Sequence, residues 1–155
     1  MVNNRTHLDV SQINDFLYVS AWPVADHKEE IHRLGIRLIL SMSLWKPSKE
    51  LESRHVKNLW LPTFDSPILP IPIFMLNRGV AASKPIIRDN GKILVHCQAG
   101  KHRSVAMASC ILISTGLTAN QSMELIKEKR SIADPDIWYI KSRIQKYESM
   151  NNERK

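Results

Sequence analysis

Nine consecutive residues, His96-Cys97-Gln98-Ala99-Gly100-Lys101-His102-Arg103-Ser104, join a short apolar run, Lys92 to His96, to the most continuously apolar stretch of the chain, Ser104 to Thr115. That placement constrains the fold more than any other feature. The short run, preceded by the turn signal Asn90-Gly91, reads as a central parallel strand. The longer stretch, apolar on almost every side and stopped by Gly116, reads as a buried helix. A short loop between such a strand and such a helix lies at the C-terminal edge of the sheet, where it and the positive helix end aim several backbone N–H groups at one point. A point of that kind binds a tetrahedral oxyanion.

The remaining segments continue the alternation of strand and helix. Phe16 to Ser20, Ile36 to Met42 and Val56 to Leu61 are rich in branched residues and read as strands, the last closed by Pro62. Asp26 with Glu29 three residues on has the pattern of a capping box, and Gly35 ends the helix that it starts. The proline-rich run Pro67 to Pro72 excludes regular structure; Pro72 suits the first turn of a helix on which Ile73, Leu76, Val80 and Ile87 share a face. Thr118 and Gln121 form a second capping box for a helix through Arg130. Ile137, Ile140, Ile144 and Tyr147 mark a last amphipathic helix before a polar tail. The expectation is one α/β domain, a central mostly parallel sheet flanked by helices, with its core over about residues 13–148 and polar tails at both ends.

Composition excludes several classes. With 155 residues and 43% hydrophobic content, the chain supports one ordinary core. Met1 to Val10 is polar and lacks the apolar centre of a secretory signal, and the apolar stretch Val105 to Ile113 is too short to span a bilayer. Two cysteines, Cys97 and Cys110, are too few for a disulfide framework, which points to a reducing, cytoplasmic setting. The net charge of +7 comes from scattered bases with little aromatic interleaving, so a nucleic-acid groove is not expected; charge alone leaves open an acidic lipid, a small anionic substrate or a plain solvated surface. Trp22, Trp45, Trp60 and Trp138 read as core and rim aromatics.

Within the nine residues each type has a chemical reason. Gly100 permits tight curvature, the backbone of Gln98, Ala99, Gly100, Lys101, His102 and Arg103 supplies donors, and the Arg103 guanidinium returns a planar fork to two oxygens of a bound phosphate. The same donors favour the charged form of Cys97, making it a nucleophile at neutral pH. A bare Cys-x5-Arg is a weak signal; His96, Gly100, Ser104 and the strand-loop-helix setting make it specific.

These residues resemble the His-Cys-x5-Arg-Ser/Thr signature of the cysteine-based protein tyrosine phosphatases, and the element order from about Asn14 to Tyr147 resembles their small, atypical dual-specificity branch. The resemblance implies phosphomonoester hydrolysis through a phosphocysteine, no metal and no cofactor, and a phosphorylated protein or small phosphorylated metabolite as partner. It also implies an aspartic general acid some thirty residues before the cysteine. Asp65, 32 positions before Cys97 and just past Leu61-Pro62, occupies that place. Ser104 would donate to the Cys97 sulfur as phosphocysteine breaks down, and His96 would orient the loop or serve as a satisfied core histidine. Asp89 reads as turn chemistry. Asp134-Pro135, although similar to the acid-bearing pair of low-molecular-weight phosphatases, reads as the start of the last helix. Cys110 reads as a buried structural thiol.

Lys101-His102 departs from the commonest family pattern, in which this pair is small or uncharged. Gly100-Lys101-His102-Arg103 resembles an atypical branch that acts on inositol pyrophosphates, and two extra bases suit a substrate of higher negative charge. An inositol phosphate or phosphoinositide is therefore the alternative substrate. A non-catalytic phosphate-binding module, a sulfurtransferase or an arsenate reductase would use a similar loop, but none of these needs Asp65.

Overall fold

Alternation of apolar residues along the strands decides which face of the sheet each helix covers. A computed structural model describes residues 7–155; of the polar opening segment on which the absence of a signal was inferred, residues 1–6 lie outside the described residues. The elements are β1 (Val10–Gln12), β2 (Leu17–Ser20), α1 (Lys28–Arg33), β3 (Ile36–Ser41), β4 (Lys57–Trp60), α2 (Ile73–Arg88), β5 (Lys92–His96), α3 (Arg103–Ser114), α4 (Ala119–Lys129) and α5 (Trp138–Glu153). The sheet order is β1-β2-β5-β3-β4, parallel except for β1. Leu17, Val19, Leu38, Leu40, Ile93 and Val95 pack in the core built with α2, α3, α4 and α5. Tyr18, Ile36, Ile39 and Leu94 pack on the other side with Ile31 of α1, Leu51 and Val56. Both faces of β2, β5 and most of β3 are thus covered, which is why these strands read as unbroken apolar runs.

The register aligns Ser20, His96, Ser41 and Trp60 in one row across the C-terminal edge of the parallel strands. The loop after His96 leaves from the middle of that row. α3 behind it is buried from Arg103 to Ile113. It is crossed so closely by α2 that a Cβ at Gly79 would lie 2.4 Å from Met107 Sδ.

Several sequence expectations shift. Asp26 does not cap a helix: the His27 ring accepts the Val24 N–H at 3.0 Å, a 3₁₀ turn (Ala25–His27) intervenes, and α1 starts at Lys28 without a side-chain cap. Pro72 is the residue before α2 rather than in its first turn, and α3 begins one residue early, at Arg103. The Thr118–Gln121 capping box forms as expected, each backbone N–H donating to the other side chain at 3.1 and 2.9 Å. Ordered packing begins before residue 13, with Leu8 buried and β1 paired to β2, and α5 continues to Glu153 in place of a polar tail. None of the four tryptophans lies in the core; Trp45 and Trp138 are 70% and 67% exposed, because rings with one polar atom sit well at a wet rim. Cys110 is fully buried, and burial pushes its thiol well above the ordinary range. No helix among the described residues is long and apolar enough to cross a membrane.

Candidate active site

Four successive carbonyls of the loop are tied to groups outside it. Trp22 N–H donates to Gln98 O at 2.9 Å, Arg130 Nη2 to Ala99 O at 2.9 Å, Arg130 Nε to Gly100 O at 2.8 Å, and Asp134 N–H to Lys101 O at 3.0 Å. A trans peptide plane points its N–H opposite its C=O, so the N–H groups of Ala99, Gly100, Lys101 and His102 turn to the inside. This is how the chain builds an anion cradle from backbone alone. Gly100 has φ +68, and a Cβ there would lie 2.7 Å from both Ser20 O and Arg130 Nη2, so only glycine fits the bend. Arg130, 3% exposed, also grips the Asp9 carboxylate with Nη1 and Nη2 at 3.1 and 3.0 Å and donates to Ser11 Oγ at 3.1 Å.

Cys97 sits at the cradle's base, 3% exposed, its Sγ 3.2 Å from Ser104 Oγ. Burial pushes this thiol up, yet the Ser104 hydroxyl and N–H, the Arg103 charge and the Lys101 N–H outweigh burial and hold it below its ordinary value. Arg103 donates from Nη1 to Thr63 O at 2.7 Å, while its buried Nε has no acceptor among the described residues. A buried guanidinium donor without a partner at the first turn of α3 suits an oxyanion. His96 is fully buried, with Nε2 2.6 Å from Ser41 Oγ and Nδ1 3.3 Å from Cys97 O. Burial, aided by the Arg103 charge, lowers its pKa to about 4, so the ring is neutral at pH 7 and supports the loop by hydrogen bonding.

Asp65 lies on the irregular connection after β4, two residues beyond Thr63. Its Oδ2 is 2.9 Å from His102 Nδ1, and its Oδ1 accepts from Tyr139 OH at 2.7 Å. Burial raises this carboxyl, but the bonds from His102 and Tyr139, with the charges of His102 and Arg103, hold it below its ordinary value. Burial and the Asp65 carboxylate together raise Tyr139 to about 12. Asp134 is not the cap of α5, which starts at Trp138; it is bonded to the loop at Lys101, and its Oδ2 lies 3.7 Å from His102 Nε2. The structure therefore brings Cys97, Arg103 and Ser104 together, and joins Asp65 to the same loop through His102. Sequence reasoning missed Arg130 and Tyr139, whose roles depend on partners far along the chain.

The family model for the dual specificity phosphatase catalytic domain matches residues 17–149. The chain belongs to that family. It is a cysteine-dependent hydrolase of the protein tyrosine phosphatase type. Dual specificity phosphatase 28 of Homo sapiens is 29% identical over 133 residues, covering 85% of this chain and 73% of the relative. The crystal structure of human DUSP28 superposes with a TM-score of 0.83 at 26% identity, covering 93% of this chain and 95% of that one. The crystal structure of PTPMT1 in complex with PI(5)P shares the fold, with a TM-score of 0.83 at 20% identity over 94% of this chain and 98% of the other.

Proposed function

We propose that this phosphatase hydrolyses phosphorylated side chains of proteins through a phosphocysteine at Cys97. The observation that carries the proposal is the Cys97 sulfur held 3.2 Å from Ser104 Oγ beneath inward-turned N–H groups, with Arg103 buried at the same loop. The Cys97 thiolate attacks phosphorus while Arg103 and the N–H groups of residues 98–103 hold the non-bridging oxygens. Asp65 gives its proton to the leaving oxygen as the P–O bond breaks. The resulting carboxylate takes a proton from water as that water attacks the phosphocysteine, releasing phosphate and the thiolate. The Ser104 hydroxyl donates to the departing sulfur and makes it a better leaving group. Family membership supports phosphotyrosine and phosphoserine or phosphothreonine as substrates. Two unpaired cysteines support a reducing, cytoplasmic setting.

An inositol phosphate or phosphoinositide is the second substrate reading. Exposed Lys101 at the cradle supports it, as does the PI(5)P bound by the structurally similar PTPMT1. His102 does not add to it, since its ring is engaged by Asp65 and faces Asp134. Only one of the two extra loop bases is free to meet a second phosphate. The deciding experiment is phosphate release from phosphopeptides and from inositol phosphates in metal-free buffer, with Cys97→Ser and Asp65→Asn in parallel. Loss of activity in Cys97→Ser and a strong reduction in Asp65→Asn support the mechanism, and the preferred substrate selects between the readings. Absence of release by the wild type at any pH would favour a binding module.

A further inference from the structure

A backbone cradle makes no demand on the side chain at position 102, yet this side chain is built in rather than left in water. Its relative exposure is 14%, and it stands between two carboxylates, with Nδ1 2.9 Å from Asp65 Oδ2 and Nε2 3.7 Å from Asp134 Oδ2. Nε2 is buried and has no hydrogen-bond partner among the described residues. The 3.7 Å gap is too long for a hydrogen bond but short enough for Coulombic attraction to orient the ring. Tyr139 packs edge-on to the same ring with centroids 6.1 Å apart, and its hydroxyl reaches the other oxygen of Asp65. Both oxygens of Asp65 are therefore held, one from the Cys97 loop and one from the first turn of α5. Asp134 is itself fixed to the loop through its N–H bond to Lys101.

We propose that His102 and Tyr139 are positioning residues for Asp65, a two-point clamp that fixes its carboxyl group relative to the Cys97 loop, with Asp134 aligning the imidazole; the role rests on Asp65 being the general acid. Asp65 needs such a clamp because its own segment has no regular structure and its side chain is 34% exposed. A carboxyl group free to rotate there would seldom meet the leaving oxygen, and a misplacement of about 1 Å costs on the order of a hundredfold in rate. The clamp acts on the two proton transfers of Asp65, to the leaving oxygen and from the attacking water, and only the first depends on the leaving group. Phosphate binding and attack by sulfur belong to Cys97, Arg103 and the backbone, so in the first transfer the clamp matters in proportion to how badly the leaving group needs a proton.

The test compares phenyl phosphate, whose leaving group needs the proton, with p-nitrophenyl phosphate, whose leaving group needs it much less. Compared at each variant's own pH optimum, His102→Ala should lower kcat/KM, which reports the steps up to phosphocysteine, by roughly ten- to a hundredfold for phenyl phosphate and by far less for p-nitrophenyl phosphate. KM and the inhibition constant of inorganic phosphate should hold within about threefold, since the cradle is backbone. His102→Asn, which keeps an N–H donor near the Nδ1 position, should recover most of the loss. In an Asp65→Asn background His102→Ala should cost little more, because two residues acting through one proton are not additive. Tyr139→Phe, on a separate element, should shift the same substrate ratio and keeps the test valid if His102→Ala perturbs folding. Equal losses for both substrates with weakened phosphate inhibition would overturn the clamp and leave His102 a support of the loop. A large Asp65→Asn effect on phenyl phosphate with inert His102→Ala and Tyr139→Phe would remove the clamp alone; an inert Asp65→Asn would remove the acid and the clamp with it.

Discussion

Replacing Arg130 by methionine, of similar length but without donors, tests how the cradle is held open. The guanidinium makes two kinds of contact whose worth differs. Its bond to Gly100 O is buried and that to Ala99 O half-buried, whereas its partner Asp9 is 62% exposed and regains water when the arginine is lost. Leaving the buried Gly100 carbonyl without a donor costs about 1–3 kcal/mol and the half-buried Ala99 carbonyl less, while an ion pair to an exposed carboxylate is worth about 0–1 kcal/mol. Arg130→Met should therefore lose roughly 2–4 kcal/mol, most of it from the loop. For a domain of this size that lowers Tm by about 10 °C, and the protein remains folded at 25 °C if its stability is ordinary. The freed carbonyls can then swing inward and turn their peptide N–H groups away from the anion, so inorganic phosphate should inhibit more weakly. Urea unfolding supplies the energy and phosphate inhibition the cradle geometry, with Asp9→Asn as comparison at under about 1 kcal/mol. A loss below about 1 kcal/mol in Arg130→Met with unchanged phosphate inhibition, or equal losses in the two variants, would refute the division between loop and surface contacts.

If Cys97 attacks as the thiolate while Asp65 carries the proton, as proposed, then with both groups below their ordinary values activity should peak on the acidic side of neutrality and fall towards tenfold per pH unit on the alkaline side. Asp65→Asn should flatten that fall; a wild-type profile flat to pH 9 would reject the pairing. His96 stays neutral in the fold down to about pH 4, whereas the unfolded chain takes up its proton near pH 6.5. The unfolded state thus binds more protons below that point, and this one group should remove about 2 kcal/mol of stability between pH 6.5 and 5. Urea midpoints across that range check it, and His96→Gln should lack that contribution. Ser104→Ala should slow phosphocysteine breakdown more than its formation, so that rapid-quench experiments show a burst of leaving group and trapped phosphoenzyme; a slowed burst with no accumulation would place Ser104 in the first step instead.

The Cys97 loop was legible because its information is local: nine adjacent residues carry the bend, the donors and the flanking elements. Asp65 was singled out by its distance from Cys97 in a known pattern, not by any property of its own segment, and the fold places it beside the loop through His102. What holds the site was not legible. Arg130 looked like one more base at a helix end, and only folding brings it to Gly100, 30 residues away, and to Asp9, 121 residues away. Tyr139 on α5 and Asp134 on the α4–α5 connection meet Asp65 and His102, which come from two other connections of the chain, and such pairings leave no periodic trace. β1 escaped notice since Val10–Gln12 is a three-residue edge strand without an apolar run. Asp26 misled because capping patterns report what a side chain can do: the chain had already entered a 3₁₀ turn at Ala25, whose preceding N–H, that of Val24, donates to the His27 ring.

The burial of Cys110 has a consequence for the life of this protein in the presence of peroxide. Cys97 is the thiol held towards its charged form, and charge governs oxidation to sulfenic acid. Cys110, fully buried and about two turns down α3 from the loop, has its thiol held in the protonated form and cannot serve as an internal resolving partner. Among the described residues no second thiol is placed to resolve an oxidised Cys97, so its reduction falls to a thiol outside this domain. The duration of any oxidative silencing is then set by the reductant supply around the protein, and further oxidation at Cys97 would make the loss permanent.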